Sequence, residues 1–147
     1  MTPYCSIAEA HTYFADRLNT ESWDDSTDTN RLKALKQATR AIDHLNFVGE
    51  RSSQDQENQF PRDDDISVPQ DIKNACAELA LSLLGGIDPD VEYENLFATR
   101  FEFANAKVSY DRGSVPLHIV AGIVSLTAWR YLVPYLRDTQ SVRINKR

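Results

Sequence analysis

The stretch Gln59-Phe60-Pro61-Arg62-Asp63-Asp64-Asp65 concentrates residue types that do chemistry: three consecutive carboxylates behind a Pro-Arg pair. Carboxylates so gathered could hold Mg²⁺ or Ca²⁺. Calcium loops, however, alternate their ligands, because adjacent side chains on an extended backbone point apart, and they need a Gly and a later closing Glu. Asp63, Asp64 and Asp65 have neither at the required place, so they read as a solvated acidic turn. His11, His44 and His118 fall on three different predicted helices, and no two share a metal-ligand spacing. No Ser, Cys or Thr stands in a nucleophile motif, and Gly85-Gly86 lacks the Lys-Ser or Lys-Thr of a phosphate loop. No catalytic residue, cofactor or metal is expected, and the chain reads as something other than an enzyme.

The bulk properties narrow the choice further. At 147 residues the chain suits one domain. A formal charge of -6 repels phosphate overall, so any contact with nucleic acid must be local. Cys5 and Cys76 lie among apolar neighbours and read as small core residues of a protein from a reducing, cytosolic compartment. The opening MTPYCSIAEAHTYF has no basic region followed by an apolar run, so no secretory signal is expected. Val115 to Leu136 approaches the length of a membrane span, but it carries His118, Ser125 and Arg130 with Pro116 and Pro134 near its ends. It reads as a buried or interface helix, with no membrane partner.

The elements that must position these residues follow from periodicity. Ser6 with Glu9 has the spacing of a capping box, and Ile7, Ala10, Phe14 and Leu18 continue at helical intervals to about Asn19. An acidic run then surrounds Trp23, and Thr27, Asp28 or Thr29 can cap a second helix from about Asn30 to Leu45. Leu32, Leu35, Ala38, Ile42 and Leu45 form its apolar face, with Lys33, Lys36, Arg40 and Asp43 on the wet side. Glu50 to Asp71 is a polar loop that Phe60 would pin. A third helix follows Pro69, with Ile72, Ala75, Cys76, Leu79, Ala80 and Leu83 as its stripe and Gly85-Gly86 as its stop. Phe101 with Phe103, and Val108 with Tyr110, alternate with polar residues as strands do. A fourth helix is expected from Pro116 to Leu132 or a little beyond.

The expected fold is therefore mainly α: a small bundle of about four helices with a short β-hairpin or extended arm. Residues 1–136 would form a single domain with the arm at about 91–111, and residues 137–147 a basic tail. Trp23, Phe47 and Phe60, at segment ends, could plug the ends of the core or meet another subunit.

Taken in order, Tyr4, Ala8-Glu9-Ala10 with Tyr13-Phe14 and Arg17, Trp23, Leu35-x-x-Ala38-Thr39-Arg40-x-Ile42-Asp43, Phe47-x-Gly49-x-Arg51, Gln56 and Phe60-Pro61-Arg62 give the chain a family likeness. It resembles the head–tail connector (adaptor) proteins of tailed bacteriophages, a group in which some members are labelled as resembling a primosomal single-strand-binding protein. Phe60 stands where members usually have Trp. The resemblance implies a structural virion protein, made in the host cytoplasm. It would form a ring, typically twelvefold, between the portal protein and the tail or nozzle proteins, with double-stranded DNA passing non-specifically through the lumen. On that reading Trp23, Phe47, Phe60, Pro61 and Arg62 anchor the loop or touch a neighbouring subunit. Phe101, Phe103, Val108, Tyr110, Ile123 and Trp129 are intersubunit candidates, and Arg143, Lys146 and Arg147 would dock on the portal. A single-stranded-DNA-binding module is the alternative from another class, and a tail completion protein the nearby one.

Overall fold

The computed structural model describes residues 1–96 and 116–137. The fold is mainly helical, in keeping with the sequence patterns, and it is organised around one apolar helix. Helices α1 (Ile7–Phe14), α2 (Glu21–Asp24), α3 (Asp28–Asp43) and α4 (Gln70–Leu84) are followed by helical residues 89–96, called α5. Then come α6 (Leu117–Val120), α7 (Leu126–Leu132) and a 3-10 turn at Val133–Tyr135. Helix α4 touches α1, α2, α3 and α7. Its run from Ala75 to Leu81 is buried on every side, because Ala75, Cys76, Ala77 and Ala80 let neighbouring backbones come close.

Helix ends are set by local chemistry. Ser6 Oγ accepts from the Glu9 amide at 3.1 Å, and Thr27 Oγ1 accepts from Asn30 at 3.2 Å. Helix α1 nevertheless ends at Phe14 and does not reach Asn19, whose φ of 59° turns the chain. Leu18, expected on the stripe, is 82% exposed. The acidic run around Trp23 winds into the single turn α2. In α3, Leu32 is exposed and Ala34 is buried in its place. Helix α4 closes in a Schellman motif: Gly86 has a φ of 86°, and Ile87 and Gly86 donate to the carbonyls of Ser82 and Leu83.

The expected fourth helix is broken. Gly122, at a φ of 84°, closes α6 with a second Schellman pair, Ile123 N to His118 O at 2.8 Å and Gly122 N to Ile119 O at 3.0 Å. Ser125 then caps α7 through Ala128 N. The expected arm is also corrected at its start, since residues 91–96 are helical. Phe101, Phe103, Val108 and Tyr110 lie outside the described residues, as do Arg143, Lys146 and Arg147. No described helix is long and apolar enough to cross a membrane.

Candidate functional site

The QFPRDDD stretch is tied into the core. Phe60 is buried edge-on against Tyr4, Phe47 and Tyr135, with centroid distances of 5.9, 4.6 and 5.9 Å. The Phe60-Pro61 peptide bond is cis. Arg62, also buried, donates to Val48 O at 2.9 Å, Gln59 O at 3.2 Å, Gln59 Oε1 at 2.9 Å and the Gly49 carbonyl. These four carbonyl contacts occupy the Arg62 cation within the chain. Asp63, at a φ of 54°, accepts from the Glu50 amide at 3.0 Å and returns its own N–H to Glu50 O at 2.8 Å. Ser52 Oγ ties the carbonyls of Asp63 and Asp65 together. The acidic stretch is thus a hydrogen-bonded turn. Among the described residues no three His, Cys, Asp or Glu side chains are grouped to hold a metal.

The other aromatic candidates also point inward. Trp23 is fully buried, donates to His11 Nδ1 at 3.1 Å and lies under the Arg31 guanidinium at 5.2 Å. Phe47 and Ile123 are buried in the chain's own core, and Trp129 is half-buried against it. Trp23 and Ile123 are thus fully enclosed by the chain's own core, and Phe47 and Phe60 nearly so.

Two arrangements face outward. The first is an open groove between α1 and α7, of about 380 Å³, lined by Thr12, Tyr13, Asp16, Arg17 and Tyr131. Behind two of the lining residues, Glu78 is almost fully buried and meets Arg17 Nε at 2.8 Å and Nη2 at 3.2 Å. Tyr13 donates to Glu78 Oε1 at 3.1 Å, and its hydroxyl lies 3.3 Å from that of Tyr131. Burial, with the Tyr131 hydroxyl and Glu78 beside it, pushes the Tyr13 phenol above its usual range, so it stays a neutral donor. The hydrogen bond to Glu78 holds Arg17 more firmly protonated.

The second is the solvent side of α3. Lys33, Lys36, Gln37, Arg40 and His44 recur at three- and four-residue steps and share one face. Among the described residues none of Lys33, Lys36 and Arg40 forms an ion pair. Asp43, three residues after Arg40, turns away to accept from the Tyr4 hydroxyl and from Gln59 N at 3.3 Å, and burial raises its carboxyl above the usual range. Glu57 lies close enough to feel Lys36, but its carboxylate accepts from Thr2 N at 3.1 Å and meets the N-terminal ammonium at 3.2 Å. An acidic protein therefore carries a stripe of bases that no acid among the described residues pairs with. The sequence showed these residues only as a wet face; the signal was three bases with no acid at i+4 to any of them.

A family model described as "Putative DnaT-like ssDNA binding protein" matches residues 2–127. No curated protein and no solved structure matches the chain. The family match corrects the head-to-tail adaptor reading, with its ring, portal and tail partners: the family found is one described by single-strand binding. The physical reason for the error is visible in where the resembling residues lie. Tyr4, Trp23, Leu35, Ala38, Ile42, Phe47 and Phe60 are core, and Arg62 holds the loop. Such residues report a shared scaffold and say little about what the scaffold binds.

Proposed function

The chain belongs to this DnaT-like ssDNA binding protein family, and from that membership we propose that it is a single-stranded-DNA-binding module whose strand runs along α3. The observation that carries the reading is the family match across residues 2–127; the basic stripe supplies a place for the strand. Lys33, Lys36 and Arg40 stand about one helical turn apart, about 5.4 Å along the axis, and each can neutralise a phosphate. Binding of this kind draws its free energy from counterions released by the DNA. The overall charge of -6 is not prohibitive. At physiological salt a charge more than about 8 Å away is largely screened, so the nearest side chains decide the local potential.

Fluorescence anisotropy of a labelled oligodeoxythymidylate tests the reading. Binding at low salt that weakens steeply as NaCl rises is expected. No binding at low salt would overturn it.

A further inference from the structure

We propose that the groove between α1 and α7 is a nucleobase site, in which one unstacked base of a bound strand lies against the Arg17 guanidinium and the Tyr131 ring. The inference rests on the single-strand reading above and adds a second, chemically different contact to it. The groove's volume of about 380 Å³ falls in the range of small-ligand sites. Its chemistry selects a flat, neutral ring over a phosphate. Arg17 is already paired with the buried Glu78 carboxylate through two nitrogens, and Asp16 adds a second negative group at the rim, so an anion gains nothing there. The same pairing fixes the plane of the guanidinium. The Arg17 side chain is still 31% exposed, which leaves surface for a ring to stack on.

The tyrosines complete the site. Tyr13 and Tyr131 meet edge to face at 6.5 Å and 73°, with their hydroxyls joined and the pair tethered to Glu78, so both rings are held in place before any ligand arrives. Thr12 and Asp16, both exposed, offer acceptors for an exocyclic amino group at the base edge. Stacking on a guanidinium or aromatic face tolerates any base, and the acceptors at the rim favour those that carry an amino group.

The test compares oligodeoxycytidylate with an abasic strand of equal length, which keeps the phosphates and lacks the bases. The wild-type protein is expected to bind the cytidylate about tenfold more tightly, with similar salt slopes for both strands. Tyr131→Leu should remove that preference and leave abasic binding unchanged. Equal binding of the two strands by wild type, or a preference that survives in folded Tyr131→Leu, would overturn the base site and leave the single-strand reading standing. Binding of neither strand would remove both. Photocrosslinking of wild-type protein to a strand carrying 5-iododeoxycytidine needs no variant: adducts on Tyr13 or Tyr131 support the site, and adducts only elsewhere overturn it.

Discussion

Arg62 and Arg17 are both drawn into the body of the chain, yet they are satisfied in opposite ways. Arg62 gives its N–H groups to carbonyls of its own loop, whereas Arg17 is the charge partner of a nearly fully buried carboxylate, Glu78. Removing one member of such a pair strands the other in a medium that cannot solvate it, which costs about 3–5 kcal/mol. Arg17 is partly wet, so Arg17→Leu should cost about 3 kcal/mol in urea denaturation, and Arg17→Leu with Glu78→Leu should recover much of the loss. The thiols make a pH prediction. Burial pushes Cys5 up to about 12 and Cys76 up to about 11. Both values lie above the roughly 8.5 of an unfolded thiol, so the folded state keeps protons that the unfolded state gives up. Their stabilisation is complete below that range and is lost as pH rises toward 11 and 12. Native protein should leave both cysteines unlabelled by a thiol reagent at about pH 8 and expose both in urea; rapid labelling of either in the native state would contradict this.

The helices are legible to the extent that their limits are local. Ser6, Thr27, Pro69 and the Gly85-Gly86 pair mark ends that the structure places at or next to them, because a cap depends on a few consecutive residues. The break at Gly122 was equally local, in a glycine followed by a Ser cap, but the apolar run from Leu117 to Leu132 hid it. Two glycines separate conformational strain from steric overlap. Among the described residues a Cβ at Gly122 would meet nothing within 4 Å, so Gly122→Ala should cost about 1 kcal/mol from its positive φ alone. A Cβ at Gly49 would stand 2.2 Å from Asp63 Oδ2 and would displace the carboxylate that caps Glu50. Gly49→Ala should therefore cost roughly twice as much or more. Equal thermal shifts in the two variants would show that the Asp63 contact does not matter.

Across the whole molecule, what the sequence concealed is what long-range contacts create. Arg17 and Glu78 are separated by 61 residues, Tyr13 and Tyr131 by 118, and no periodicity links them. The α3 stripe had a different obstacle. Its residues were visible, but whether Asp43 and Glu57 neutralise them depended on where Tyr4, Gln59 and the N-terminus fall in space. Net charge was for the same reason a poor guide, since it sums over groups that a strand on α3 would not meet. The most direct measurement is the salt dependence of oligodeoxythymidylate binding, compared between wild type and the triple variant Lys33→Gln, Lys36→Gln, Arg40→Gln. Three phosphate contacts on a single strand correspond to a slope of about -2 in log K against log salt. The expected result is a slope near that value for wild type and its near-complete loss in a folded triple variant. Unchanged affinity and slope in the variant would contradict a strand path along α3.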